Sequence, residues 1–470
     1  MIRALRGVRN AVAVNAGKLA AASSKRLGRG GGTALPGLVA GRVAPALVED
    51  MALQLGQGSC AVSGTNGKTT TTLMVSAMVE AAGYRPLHNR SGSNLMRGLA
   101  ATFVAEAGPT GRLPNAGSRL GVFELDEAAL PAAVEATRPR VIALLNLFRD
   151  QLDRYGEVDT IAARWRSMVA TLGPDTTLVL NADDPTVALV GDDASCPKLY
   201  FGVEARELAG QAEHASDIRW CPRCGSDFEY EPVYYGHIGR WRCPDCGLQR
   251  PELQVAVTGA TQDGFEGADI ELATPRGRFS GRINLAGVYN VYNAAAAVAV
   301  GSALGLPVEA LKAGLAATQP AFGRQERFAV EGRTVVVLLG KNPAGFNQLL
   351  RTLTSVPAPK HLVLLLNDGI ADGRDVSWIW DVDFELLRGQ VAGALVSGRR
   401  AGDLALRLRY GEVVENPDVE QDIAMALRSA IARTPEGETL YVLPTYTAML
   451  EARGLLARWA GVESYWESAR

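Results

Sequence analysis

The sequence predicts an α/β protein with a P-loop domain and a C-terminal Rossmann-like α/β domain, and three observations carry that expectation. A short apolar run, Cys60-Ala61-Val62, feeds a glycine-rich turn, Gly64-Thr65-Asn66-Gly67-Lys68-Thr69-Thr70, which opens a helical pattern through Glu80. Apolar runs then alternate with helical patterns as far as Gly202, the texture of a doubly wound sheet. The same alternation resumes beyond Gly323, and 470 residues are too many for one core.

In chain order, a basic helical segment is expected over residues 1–50, where Arg3, Arg6, Arg9, Lys18, Lys25, Arg26, Arg29 and Arg42 precede the first acid, Glu49. Such a segment suits a helix packed on the ATP-binding domain and ended by the glycines at 28–32, a membrane-surface helix, or a targeting segment. The ATP-binding domain is expected over 51–320, with buried parallel strands at 120–125, 140–146 and 177–181. Glu124, Asn146 and Asn181 fall at or near those strand ends, where ligands of such sheets bind. An aromatic, cysteine-rich insertion occupies 214–250, and the second domain is expected over 324–470.

A strand entering a glycine turn and then a helix N-terminus aims backbone N–H groups at an anion. Gly64, Thr65, Asn66, Gly67 and Thr70 would cradle phosphates, Lys68 would reach the outer ones, and the Thr69 hydroxyl would hold Mg2+. Val62 stands where a general Walker loop has its first glycine, so the pattern is a narrower variant, and ATP is the expected ligand. Glu124 is a second candidate magnesium ligand, because hard cations take oxygen donors.

Cys221-Pro222-Arg223-Cys224-Gly225 and Cys243-Pro244-Asp245-Cys246-Gly247 are paired knuckles separated by eighteen residues, the spacing of a zinc ribbon. Four thiolates fill a tetrahedral ion's positions, so the expected Zn2+ is structural. Trp220, Tyr234, Tyr235 and Trp241 are expected to form the small core of this module.

Composition sets bounds. Hydrophobic content of 47%, charged content of 21% and a net charge of −2 describe a soluble globular protein with no nucleic acid as its main partner. No apolar run is long enough to span a bilayer. Six cysteines, four in one metal-like pattern, suit a reducing cytoplasm.

The loop Gly64–Thr70 resembles the ATP loop of the Mur ligase superfamily, and further positions follow in that family's order. The stretch Asn146-Leu147-Phe148-Arg149-Asp150-Gln151-Leu152-Asp153 resembles its Asn…Asp-His-Leu-Asp motif. Gly287-Val288-Tyr289-Asn290-Val291-Tyr292-Asn293-Ala294 resembles its His-Asn-x-x-Asn-Ala motif. Gly323-Arg324-Gln325-Glu326 resembles its interdomain linker, and Lys341-Asn342-Pro343 its His-Asn-Pro. The resemblance covers about residue 40 to the end and implies that Asn290 lies near the adenine and that Arg324 joins the ATP site.

Three departures narrow it. Fewer than 65 residues precede Gly64, so the UDP-binding domain of precursor ligases is expected to be missing. Gln151 replaces a family histidine, and Arg164 stands about where the family has a carbamylated lysine, which bears on the second metal site. The ribbon and the segment Asn367-Asp368-Gly369-Ile370-Ala371-Asp372-Gly373-Arg374-Asp375-Val376-Ser377-Trp378-Ile379-Trp380-Asp381 are similar to the MurT subfamily.

That resemblance implies ATP-dependent amidation of the D-glutamate α-carboxyl of the lipid II stem peptide through an acyl phosphate. It also implies a peripheral cytoplasmic site of action at the inner membrane face and a heterodimer with a GatD-type glutaminase. Neither Cys60 nor Cys196 sits in a nucleophile motif with His88, His214, His237 or His361, so ammonia needs that partner. Asp375 is the expected catalytic acid of the C-terminal domain, with Asp372, Asp368 and Asp381 as alternates. A folylpolyglutamate-type or amino-acid ligase shares the loop without accounting for the ribbon. An ATP-gated nucleic-acid binder would need a basic ribbon, whereas its arginines are offset by acids.

Overall fold

The computed structural model describes residues 2–26, 34–89, 93–149, 158–210, 218–319, 323–357 and 359–462. The chain begins with α1 (Ile2–Arg26), α2 (Leu35–Val43) and α3 (Leu47–Ala52). α1 packs on α2, with Ala13 and Val14 fully buried. Three of its cations turn toward the protein: Arg6 pairs with Asp50 at 3.2 Å, Arg9 Nε donates to the Val43 carbonyl at 2.6 Å and Lys18 Nζ donates to the Ala107 carbonyl. Among the described residues no helix is long and apolar enough to cross a membrane.

β1 (Ser59–Ser63) is buried along its whole length. Its side chains alternate, Cys60 and Val62 entering one core and Ala61 the other. α4 (Lys68–Ala81), β2 (Arg85–His88), α5 (Met96–Glu106), β3 (Arg119–Glu124), α6 (Leu130–Thr137), β4 (Val141–Leu144), α7 (Val158–Val169), β5 (Thr177–Asn181), α8 (Pro185–Val190) and β6 (Lys198–Val203) follow. The ribbon contributes the hairpin β7 (Glu229–Tyr235) and β8 (Ile238–Arg242). β9 (Val255–Asp263), β10 (Gly267–Thr274), β11 (Gly277–Ile283), α9 (Val288–Leu304) and α10 (Val308–Ala317) complete the first unit.

The strands form one sheet in the order β11-β10-β9-β6-β5-β4-β1-β3-β2. β2 through β9 in that row are parallel, and β10 and β11 add an antiparallel edge. From β1 the chain goes first to β2 and β3 on one side and then crosses to β4 on the other. The carboxyl ends of β1, β3 and β4 therefore open on one crevice, where doubly wound sheets bind ligands. α9 and α10 cover one face beside α4, while α5, α6 and α7 cover the other.

The second unit holds β12 (Arg324–Val330), β13 (Arg333–Leu338), α11 (Pro343–Thr354), β14 (Lys360–Leu365), β15 (Val391–Ser397), α12 (Ala401–Tyr410), β16 (Asp418–Val419), α13 (Ile423–Arg433), β17 (Thr439–Pro444) and α14 (Tyr446–Trp459). Its sheet runs β12-β13-β17-β14-β15-β16, parallel except for the β12–β13 pair. Val335 and Val337 face α13 and α14, whereas Val336 and Leu338 face α11.

The strand expected over 140–146 ends at Leu144 because Asn146 turns aside to bond the glycine loop. Beside it, Asp183 joins the sheet to the inserted module: it is fully buried, accepts from Arg250 at 2.8 Å, from the Tyr292 hydroxyl at 2.7 Å and from Val203 N at 2.8 Å. Burial pushes its carboxyl above the ordinary range, and the Arg250 guanidinium opposes that shift. Removing one partner of such a pair leaves a buried charge poorly matched, so Asp183→Ala is expected to cost about 3 kcal/mol of stability in chemical denaturation.

Candidate active site

The glycine loop leaves β1 and wraps toward α4 with Gly64 at φ +144° and Gly67 at φ +88°. A Cβ on Gly67 would lie 2.1 Å from Asn293 Oδ1, and one on Gly64 would lie 2.9 Å from Leu145 Cβ. The loop is thus pressed between α9 and the end of β4, where only glycine fits.

Asn146 fastens it. Its Oδ1 accepts from Asn66 N at 2.8 Å, its Nδ2 donates to the Asn66 carbonyl at 3.1 Å, and its own carbonyl accepts from Thr65 N at 2.9 Å. The Thr65 hydroxyl accepts from Phe148 N at 3.0 Å and donates to the Phe148 carbonyl at 3.2 Å. From the second unit, Asn342 Nδ2 donates to Asn66 Oδ1 at 3.2 Å while its own Oδ1 caps α11 through Gly345 N.

Lys68, the first residue of α4, is buried, and its Nζ donates to Glu127 Oε1 at 2.9 Å, to the Thr65 carbonyl at 3.2 Å and to the Gly64 carbonyl. Glu127 lies beyond β3 and belongs to no pattern visible in the sequence. A cleft of about 380 Å³ opens above the loop, lined by Thr69, Glu124 and Asn290 of the first unit and by Lys341 and Gln348 of the second. Glu124 is only 5% exposed, unlike an ordinary strand-end carboxylate, because Asn89 grips its backbone with bonds of 2.7 and 2.9 Å. Glycines that a Cβ would fill, a buried ammonium, a hydroxyl and a carboxylate form a donor set that fits a magnesium nucleotide.

Asn290 also lines the cleft and donates to the Ala286 carbonyl at 2.7 Å. Gln325, left-handed at φ +58°, ties the linker to the start of α9 by accepting from Ala286 N at 2.9 Å and donating to Tyr289 Oη at 2.8 Å. Sequence reasoning passed over it, since nothing local marks a buried glutamine at positive φ. The Arg324 side chain lies outside the described residues, as do Asp150, Gln151 and Asp153; Arg164 is exposed on α7.

Asp375 is exposed and does not line the cleft, and Ala371 is the residue of its segment that reaches the lining. Its carboxylate accepts from Ser377 N at 2.8 Å, which holds its pKa below the ordinary range. Asp372 is buried instead, accepting from Gly369 N at 3.1 Å and Thr447 N at 2.8 Å, while Asp368 pairs with Arg400 at 3.5 Å.

Cys221, Cys224, Cys243 and Cys246 present sulfurs that all lie within 4.8 Å of one another, with two pairs at 3.5 and 3.4 Å. A tetrahedral zinc with four thiolates would set the sulfur–sulfur edge at roughly 3.8 Å, so the cluster fits the ion. Gly225 and Gly247 take positive φ of +82° and +73° to close the two knuckles. The Ser226 hydroxyl and amide pull the Cys224 thiol down to about 6. The expected aromatic core needs correction: Trp220 is 64% exposed, whereas Trp241 is buried and donates Nε1–H to the Ala182 carbonyl at 2.9 Å. Tyr234 and Tyr235 join the core of the main domain, and Tyr235 lines the cleft. A two-stranded hairpin has one face to bury, and Trp241 takes it.

The sequence profile of the Mur ligase middle domain matches residues 62–221, and that of the MurT ligase C-terminal domain matches residues 339–449. The MurT subunit of lipid II isoglutaminyl synthase (glutamine-hydrolyzing) from Staphylococcus aureus is 33% identical over 94% of this chain and 96% of its own length. The chain belongs to the MurT family. The corresponding Streptococcus pneumoniae subunit is also 33% identical, over 92% of this chain and 93% of its own. MurF from Acinetobacter baumannii shares the fold, with a TM-score of 0.64, 20% identity and coverage of 88% of this chain and 79% of that one. As a MurT-family member, the chain is an ATP-dependent ligase of the Mur type.

Two outcomes follow from the geometry. Gly67→Ala drives a methyl group into Asn293 and is expected to abolish binding of a fluorescent ATP analogue, with the far-UV circular dichroism of the wild type retained. Replacing Cys221 and Cys243 by serine is expected to take bound zinc from one equivalent per chain to none by atomic absorption, and to lower Tm.

Proposed function

We propose that this ligase amidates the α-carboxyl of D-glutamate in the lipid II stem peptide. The observation that carries the reading is the cleft walled by Lys68, Thr69 and Glu124 in a chain 33% identical, almost end to end, to subunits named for that synthase. In this reading 51–320 binds ATP, 324–470 closes over it, and the 1–50 segment packs on the first domain.

A carboxylate resists nucleophiles because its own charge repels them. Its oxygen attacks the γ-phosphorus, the bond to ADP breaks, and an acyl phosphate forms. Ammonia then attacks the acyl carbon, inorganic phosphate leaves, and a proton is lost to give the amide. Gly64 to Thr70 cradle the phosphates, and Lys68 exchanges Glu127 for the γ-phosphate, meeting the charge that develops there. Thr69 and Glu124 hold Mg2+, which when bound neutralises phosphate charge. Asn290 and Arg324 serve the nucleotide, and the four cysteines hold a structural Zn2+.

Ammonia comes from a GatD-type glutaminase in a heterodimer. Burial pushes the Cys60 thiol up to about 12 and raises that of Cys196, so neither is poised as a glutaminase nucleophile. The enzyme acts in the cytoplasm on a lipid-linked substrate presented at the inner membrane face.

Asp375 acts on the ammonia or completes the site as the domains close. The test combines purified lipid II, ATP and either ammonium or glutamine plus the glutaminase, with product mass and phosphate release as readouts. Wild type is expected to release one phosphate per amide formed. Asp375→Asn is expected to keep ATP affinity within about twofold and to lose amidation with both nitrogen sources. Loss with glutamine alone would move Asp375 to the nitrogen-supplying side of the complex, and unchanged turnover would remove it from the mechanism.

A further inference from the structure

We propose that His237, at the tip of the β7–β8 hairpin, is a positioning residue for the phosphate loop, so that the cysteine ribbon sets the geometry of the nucleotide site. The inference rests on the nucleotide reading given above.

His237 follows Gly236 in the hairpin turn and is fully buried, although the ribbon's four metal positions are all cysteine. Its ring centroid lies 4.5 Å from that of Phe148, and its Nε2 lies 3.4 Å from Asp184 Oδ2. Asp184 is itself fully buried, and the same carboxylate oxygen accepts from Leu147 N at 2.9 Å. The other oxygen caps α8 through Val187 N at 3.1 Å. Leu147 and Phe148 belong to the segment that grips the loop, since Phe148 exchanges two hydrogen bonds with the Thr65 hydroxyl. One side chain therefore separates the ribbon's tip from Thr65.

Two further observations give the contact direction. Tyr235 stacks on Phe148, centroids 5.9 Å apart, and lines the cleft from the same hairpin. Strand β8 of the hairpin is anchored on the sheet by Trp241 to the Ala182 carbonyl and by Gly239 N to the Asp183 carbonyl at 2.9 Å. The tip is thus held against the 146–148 segment. Among the described residues His237 Nδ1 is buried without a partner, a cost that a phenylalanine or leucine filling the same space would not carry. What the imidazole adds over such a residue is the bond to Asp184, which keeps that carboxylate turned to Leu147.

The test uses the full chain, His237→Phe and His237→Gln. Phenylalanine keeps the ring and loses the donor, while glutamine keeps a donor near the Nε2 position. His237→Phe is expected to weaken a fluorescent ATP analogue about tenfold, with Tm and one zinc per chain retained, and His237→Gln to bind within about threefold of wild type. Amide hydrogen exchange over 64–66 is expected to speed up in the phenylalanine variant alone. Wild-type affinity in both variants would overturn the proposal. So would loss of affinity in step with loss of zinc, which would make the histidine a part of ribbon folding only. A wild-type chain that binds no ATP analogue would remove the nucleotide reading itself, and this inference with it.

Discussion

The hydrogen-bonded clamp between Asn146 and Asn66 is the constraint on which the cleft depends. A loop that passes through left-handed glycines cannot satisfy its backbone within a helix or a sheet, and each buried amide left alone costs free energy. Asn146 answers Asn66 as a peptide group would, with one donor and one acceptor, and its own carbonyl takes Thr65 N. Asn146 can do so because β4 stops at Leu144, one register beside β1, which carries the chain's next residues toward the loop. Strand order and loop shape are thus parts of one arrangement: the parallel β1–β4 pair delivers the clamp to the thing clamped.

The buried acids of 183–184 extend that arrangement outward. Asp183 joins the sheet to Arg250 and Tyr292, and Asp184 joins Leu147 to α8 and the hairpin tip. Two adjacent carboxylates in a dry interior are tolerated because each meets several donors. Their consequence is that the ribbon is built into the wall of the main domain, with Tyr234 and Tyr235 part of the larger core and the four-cysteine cluster reaching the surface at Cys224.

Much of this was legible in the sequence where the signal is local. The strand–glycine–helix unit at 59–81 and the two Cys-x-x-Cys knuckles each lie within a few residues, so spacing alone reports geometry. Parallel strands buried on both faces leave continuous apolar runs, which is why 120–125 and 177–181 came within a residue of β3 and β5. Contacts made by tertiary packing left no such trace. Lys68 meets Glu127 across 59 positions, and Asn342 meets Asn66 across 276. Trp220 and Trp241 look alike in the sequence, but only the second falls on the covered face of the hairpin. In the Asp/Gly run at 367–375, Asp372 and Asp375 each spend a carboxylate oxygen on a backbone N–H two or three positions away, turn chemistry that leaves no local mark of which acid serves a site.

The Lys68–Glu127 pair settles the charge of the buried ammonium within the folded chain. An ammonium buried beneath a loop of left-handed glycines would be costly alone, and the carboxylate 2.9 Å away supplies the missing charge. In the proposed nucleotide reading, a triphosphate in the cleft would offer the same ammonium a second anion, so the exchange would replace one buried pair by another rather than create a new buried charge. The cost of desolvating Lys68 is already met in the folded chain, and only Glu127 has to find a new partner, which a cation arriving with the phosphates can supply. The loop itself need not move, because Asn146, Thr65 and Asn293 already hold it at its left-handed turns. Preorganisation of this kind would leave binding free energy for the domain closure proposed above, and α11 of the second unit already touches the loop through Asn342.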